Sequence, residues 1–293
     1  MKIPTFYSDR YYANTSTASM RKLPIVAKQA DQAGYVDIQE PSEPAGLVDK
    51  LKKFHDPEYV DAFDQGEGIL AMSNGWDWTP EIRDGVFQIN QGQLDAAEVA
   101  LEKGIAANVA QGFHHAGIVS GSGFCTFNGL ALVASEFPGK KVFVLDCDEH
   151  GGNGTAEFTD YMENLAQVTI NGSPFGVQEN ERTVSITLPR VMERFELYLE
   201  ALEMGFEGID AFKPDLVIYQ AGADPHHEDP LGSLDMTTWQ LLERDRYVFQ
   251  ETRKRGIPIL FVLAGGYQRP IETKLAPLHV NTFMAASEVY ANN

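Results

Sequence analysis

The chain has 293 residues, 43% of them hydrophobic and 22% charged, an ordinary globular composition that excludes a disordered chain or a fibre. Acidic residues outnumber basic ones by 42 to 23, a formal charge of −19, so the surface repels phosphate and argues against nucleic-acid or anionic-membrane binding. Two cysteines, Cys125 and Cys147, make no disulfide framework. Met1 to Arg10 has no apolar core of signal-peptide type. No apolar run reaches the ~18 residues that span a bilayer, and the expected location is the cytoplasm. A cationic substrate is compatible with the acidic balance, as is a merely solvated acidic face.

In chain order, the N-terminal third offers a strand at 3–7 and helices near 23–33, 45–53, 57–64 and 88–103. A further strand is expected at 105–109. From there the chain alternates helical patterns with short β-branched runs. A helix is expected at 126–136, then strands at 140–146, 166–170 and 184–188. A helix at 190–209 leads to a strand at 215–220, and a helix at 236–255 leads to a strand at 258–263. Continuous apolar strands separated by helices indicate a parallel sheet covered by helices on both faces. The expected architecture is one α/β domain over residues 1–293, with a decorated N-terminal part.

Open α/β sheets bind ligands beyond the carboxyl ends of their strands, so the residues after each strand carry the functional signal. Phe113-His114-His115 follow the strand at 105–109. Asp146-Cys147-Asp148-Glu149-His150-Gly151-Gly152-Asn153-Gly154 follow the strand ending at Leu145. Gly222-Ala223-Asp224 follow the strand ending at Gln220, and Gly265-Gly266-Tyr267 follow the strand ending at Leu263. Asp148 and His150 are two residues apart, which points both to one side of an extended segment, and Asp224 joins them from another strand end. Two carboxylates and one imidazole leave open positions on a divalent ion, which suits catalytic Zn²⁺ or Fe²⁺. An isolated Asp-x-His is more often a helix cap beside a packed histidine; four converging strand ends reverse that reading. Beside a metal, His114 and His115 become acid–base candidates, with Asp146 and Asn153 placed to orient them. A phenol at Tyr267 can donate to an oxyanion. His226 and His227 read as rim residues.

This ordered set resembles the zinc-dependent histone deacetylases of the arginase–deacetylase fold. Gly112-Phe113-His114-His115, Gly123-Phe124-Cys125, the Asp146–Gly154 stretch, Gly222-Ala223-Asp224 and Gly265-Gly266-Tyr267 all match. So do Asp229-Pro230-Leu231-Gly232 and Phe54-His55-Asp56-Pro57-Glu58-Tyr59. The region from Arg244-Asp245-Arg246 to Gln268 looks closest to class IV-like members. The resemblance implies Asp148, His150 and Asp224 as zinc ligands, His114 paired with Asp146, and His115 paired with Asn153. His115 would be the general base and later the acid, and Tyr267 would polarise the acyl carbonyl. Phe124, with Gly123, would wall the substrate tunnel; Phe175 is the candidate for the opposite wall. A structural K⁺ is implied at Asp146, Asp148 and His150 with Thr169 and Ile170. Many members carry Asp where this chain has Asn153, and an amide stabilises an imidazolium less than a carboxylate does.

The implied activity is hydrolysis of acyl groups, acetyl or longer, from lysine side chains of a peptide or protein. An acylated polyamine or other acylated amine is the nearest alternative substrate. Small residues from Ala116 to Gly123 suggest a flexible loop that could admit longer acyl chains. A dimanganese arginase-like enzyme would need more carboxylates, including an Asp where Gly152 stands. A non-catalytic acyl-lysine binding module would be expected to lack the acid–base groups retained here. Oligomeric state is not legible.

Overall fold

In the computed structural model, which describes residues 1–291, eight strands form a single sheet in which every neighbouring pair is parallel. The strands are β1 (Ile3–Phe6), β2 (Val36–Gln39), β3 (Ile105–Asn108), β4 (Val142–Asp146), β5 (Leu165–Asn171), β6 (Thr183–Thr187), β7 (Leu216–Gln220) and β8 (Ile259–Val262). Their order across the sheet is β2-β1-β3-β8-β7-β4-β5-β6. The expected α/β architecture with a helix-covered parallel sheet is therefore present. The four strands that deliver the chemistry-bearing residues, β3, β8, β7 and β4, are contiguous at its centre. That adjacency brings residues more than a hundred positions apart in sequence to one edge.

The central strands are apolar on both sides because both faces are covered. Val142 to Asp146 and Leu216 to Gln220 are buried at every position. The edge strands β2 and β6 are buried only at their first residues, Val36 and Thr183. Strand β2 is a strand that sequence periodicity does not reveal: four residues, Val36-Asp37-Ile38-Gln39, with the middle two exposed.

Nine α-helices lie among the described residues: α1 (Leu23–Gln32), α2 (Leu47–Leu51), α3 (Pro57–Gln65), α4 (Pro80–Lys103), α5 (Gly129–Glu136), α6 (Asn153–Thr159), α7 (Phe195–Phe212), α8 (Thr238–Lys254) and α9 (Ala276–Ala291). Helix α4 begins at residue 80 instead of 88. Thr79 caps it by accepting from the Ile82 N–H, and Pro80 occupies its first position, both strong start signals. Helix α7 runs Phe195–Phe212, later than 190–209, and α9 and α6 add to the expected set. In α9 the buried face mixes apolar Leu278, Phe283 and Ala286 with polar His279, Thr282 and Ser287, which blurs the apolar stripe that marks a helix in sequence. It packs against α8 and α1.

Four non-glycine residues with left-handed backbone angles flank the strand ends: Phe113 (φ 59), Phe124 (φ 63), Phe175 (φ 47) and Ala264 (φ 50). Such conformations cost of order 1–3 kcal/mol each and persist where the surroundings over-determine them, most often at functional sites.

Candidate functional site

Strand β4 ends at Asp146, and the next residues form an extended turn before α6. Asp146 Oδ1 accepts the Asp148 N–H at 3.1 Å, and Asp148 Oδ1 accepts the His150 N–H at 3.0 Å. These local bonds turn Asp148 and His150 to the same side. Asp224 follows β7, which pairs directly with β4, and its Oδ1 accepts the Glu149 N–H at 3.1 Å. One ligand atom each from Asp148, His150 and Asp224 lie within 4.8 Å of one another, the one such group among the described residues.

These three side chains fit a cation. Asp148 and Asp224 are fully buried, and His150 Nδ1 lies 3.4 Å from an oxygen of each. Asp224 Oδ2 accepts no hydrogen bond although it is buried, and a carboxylate oxygen in that state calls for a positive partner. Burial and the Asp148 charge push the Asp224 carboxyl up to about 6. Burial opposes a charged His150, yet its contacts with Asp148 and Asp224 push it up to about 11: the pair of carboxylates draws whatever positive charge is at hand. A Cβ on Gly265 would strike the Asp224 carboxylate and come within 2.7 Å of Asp148 Oδ2. The Gly265 N–H instead donates to Asp148 Oδ2 at 2.7 Å. Glycine is needed there for close approach, not for a turn.

The histidine pair follows β3. His114 Nδ1 lies 2.7 Å from Asp146 Oδ2, and His115 Nδ1 lies 2.7 Å from Asn153 Oδ1. Each partner oxygen is an acceptor, so each Nδ1 carries the proton and each Nε2 presents a lone pair while the ring is neutral. The rings are 3.9 Å apart at their centroids, yet their proton affinities are driven in opposite directions. Burial opposes charge on His114, but Asp146 and Asp148 outweigh it and raise its pKa. His115 is held well below the usual histidine value by burial and by the neighbouring His114.

Tyr267 follows β8. Its backbone N–H donates to Asp229 Oδ2 at 2.7 Å, while Asp229 Oδ1 accepts the Leu231 N–H at 3.0 Å. Burial, with Asp224 and Asp148 nearby, raises the phenol well above its ordinary value, so it stays a hydrogen-bond donor at neutral pH. Phe124 lies 6.2 Å from Tyr267 and stacks on Trp76 at 6.0 Å. Phe175 lies against His115 at 4.2 Å and His150 at 5.6 Å. Gly123 has φ +50, and a Cβ there would come within 2.5 Å of the His115 ring.

The metal-ligating, acid–base and tunnel residues singled out in the sequence thus meet at one sheet edge, and other expectations are corrected. His226 is not a rim residue: it is buried, its Nε2 3.0 Å from Thr238 Oγ1 and its Nδ1 accepting the Glu228 N–H. His227 is exposed, and neither belongs to the metal-capable group. The 116–123 loop also differs from its flexible composition. The Ile118 N–H donates to Glu157, the Gly121 N–H to Ser73, and the Gly117 carbonyl lies 2.9 Å from His55 Nδ1. His55 is buried, bonded through both nitrogens, and pushed down to about 4 by that burial. Its place is under the loop, not in the chemistry.

Sequence reasoning assigned no role to Glu149, Asp229 or Arg244. Glu149 is buried and takes the Ser233 N–H, the Ser233 hydroxyl and the Leu234 N–H, fixing the segment after Asp224. The signal for it is a charged residue at a position flanked by strand-end ligands.

The model of the Histone deacetylase domain matches residues 16–283. An uncharacterized protein of Picosynechococcus is 32% identical over 248 residues, covering 82% of each chain. Histone deacetylase 2 of Arabidopsis thaliana is 31% identical over 61% of this chain, which spans 48% of the plant protein. Acetylpolyamine amidohydrolase of Mycoplana ramosa is 27% identical over 54% of this chain and 50% of its own. Among solved structures, the acetylpolyamine aminohydrolase of Burkholderia pseudomallei superposes with a TM-score of 0.81 at 16% identity, covering 98% of this chain and 99% of that one; this likeness bears on the fold. The arrangement at the strand ends and the match over most of the length agree: the chain belongs to the histone deacetylase family.

Proposed function

We propose that this protein is a metal-dependent deacylase, working as one catalytic unit over its length, that cleaves the amide between a short acyl group and a primary amine. The observation that carries this reading is the Asp148–His150–Asp224 group beside a neutral, oriented His115 and the Tyr267 hydroxyl. Asp148, His150 and Asp224 would hold the ion, Zn²⁺ first and Fe²⁺ second by donor type. When bound, such an ion lowers the pKa of water and polarises a carbonyl oxygen. The single three-ligand group among the described residues favours one catalytic ion over an arginase-like pair.

The chain's own residues then account for the proton transfers. His115 is neutral at pH 7, and Asn153 fixes its Nδ1–H, so Nε2 is free to take a proton from the attacking water. The Tyr267 hydroxyl donates to the oxygen on which negative charge grows. His115, now protonated at Nε2, returns its proton to the leaving amine. His114, tied to Asp146, lowers the basicity of His115 and keeps it a ready donor in the second half of the reaction. Gly123, Phe124 and Phe175 would flank the acyl-amine stem and exclude water.

For the potassium ion, Asp146 and Thr169 lie in register on neighbouring strands and are fully buried. Buried oxygens of this kind suit a hard cation, with Asp148, His150 and Ile170 completing the implied set. The amine side is proposed as acyl-lysine in a peptide or as an acylated polyamine. The −19 charge favours a cationic amine of either kind and disfavours nucleic acid. A cytoplasmic setting is proposed, in keeping with Cys125 and Cys147 as free thiols. A panel of acyl-lysine peptides and acylated polyamines, assayed with and without chelator, tests the proposal: chelator-sensitive release of free amine is expected.

A further inference from the structure

Helix α8 carries an arginine, Arg244, that is only 1% exposed, unusual for a residue seldom buried without a purpose. Arg244 Nη1 donates to two backbone carbonyls, Cys147 at 3.1 Å and Gly222 at 2.8 Å. Cys147 immediately precedes Asp148, and Gly222 lies two residues before Asp224. The guanidinium is itself held from behind. Asp245 Oδ1 accepts from Arg244 Nε at 2.9 Å and from the Tyr219 hydroxyl at 2.5 Å, and Asp245 Oδ2 accepts from the Thr282 hydroxyl on α9 at 2.6 Å. One rigid cation thus spans the ends of β4 and β7, and its anchorage comes from α8, β7 and α9.

From this geometry we propose that Arg244 is a positioning residue that fixes the separation of the Asp148 and Asp224 carboxylates, and so sets the affinity of the site for its metal. This rests on the metal-site reading above. Neither carbonyl bond touches a carboxylate, so Arg244 is not a ligand; it acts through the backbone on both ligand-bearing turns at once. A lysine donates from a single nitrogen in place of a planar fork, and so cannot sit between both carbonyls while also meeting Asp245 as Nε and Nη2 do. Groups that orient ligands in this way typically change metal affinity about 10–100-fold when removed.

The test is the Zn²⁺ dissociation constant of the full chain, measured by chelator competition on folded protein. Arg244→Lys is compared with wild type and with Val248→Ala, a cavity variant on the same helix with no tie to the two carbonyls. About tenfold or greater weakening in Arg244→Lys, with Val248→Ala unchanged, is the result expected. Equal affinity in Arg244→Lys and wild type overturns the proposal. So does an equal loss in Val248→Ala, which would mark a general effect of a loosened helix. If Arg244→Lys does not fold, Thr282→Val carries the test. It removes one bond to Asp245, and a measurable weakening of Zn²⁺ supports the anchorage while unchanged affinity overturns it. Failure of wild type itself to bind Zn²⁺ or Fe²⁺ would instead remove the metal-site reading.

Discussion

His115 Nδ1 sits 2.7 Å from Asn153 Oδ1, while its neighbour His114 makes the same contact to a carboxylate, Asp146. Two histidines in ring contact therefore have partners of different charge, and the difference divides their roles. The amide leaves His115 neutral and able to accept a proton. The carboxylate favours charge on His114. Asn153→Asp should erase this difference. A negative partner stabilises imidazolium, so the His115 pKa rises, a greater share of the enzyme is protonated at low pH, and the acidic limb of the kcat/KM profile moves to higher pH. A profile that does not move would show that Asn153 is not the group that sets His115.

Tyr267→Phe should keep metal content and lower kcat by about 10² or more, because the hydroxyl acts chiefly where charge develops in the transition state. The ring, its contact with Phe124 and the Tyr267 N–H bond to Asp229 do not depend on the hydroxyl. Steady-state kinetics with metal analysis on the same sample check this; unchanged kcat would reduce Tyr267 to packing.

Asp224→Ala should abolish metal binding and activity together in a folded protein. It removes the buried oxygen that accepts no hydrogen bond, and with it one of the two carboxylates that draw the cation. Elemental analysis decides: full metal content in a folded variant would defeat the assignment.

Acyl length is where composition and structure part. The small residues from Ala116 to Gly123 suggest room for long chains, yet Glu157, Ser73 and His55 hold that segment in place. The space bounded by His114, Gly123, Cys125, Asp148 and Tyr267 is about 10 Å³, roughly one water molecule. We expect kcat/KM to be highest for acetyl and to fall for octanoyl and myristoyl on one peptide. A value rising with chain length, by up to ~0.8 kcal/mol per CH₂, would mean that the pocket opens to form an apolar channel.

Much of the site was legible because strand-end residues are read directly off apolar runs, and because Asp148, His150, Asp224, His115 and Tyr267 fall within short segments of the chain. Which histidine pairs with Asp146 and which with Asn153 was legible only through the resemblance. Strand β2 escaped because a four-residue edge strand with its middle two residues exposed has no continuous apolar run. Helix α9 escaped because its buried face carries polar His279, Thr282 and Ser287 among the apolar residues, which blurs the stripe. Arg244 escaped for a different reason: its role lies in two backbone carbonyls, which no side-chain pattern encodes. His226 was misplaced because adjacent histidines look solvent-facing until Thr238 is brought over one of them.

The central claim is that Asp148, His150 and Asp224 hold an ion on which amide hydrolysis depends. The most direct measurement is amine release from an acetyl-lysine peptide and from acetylated polyamines, by protein stripped with chelator and then titrated with Zn²⁺ or Fe²⁺. Activity should vanish on stripping and return as one equivalent of metal per chain is restored. Full activity in protein shown to be metal-free, or a requirement for two equivalents, would contradict the account.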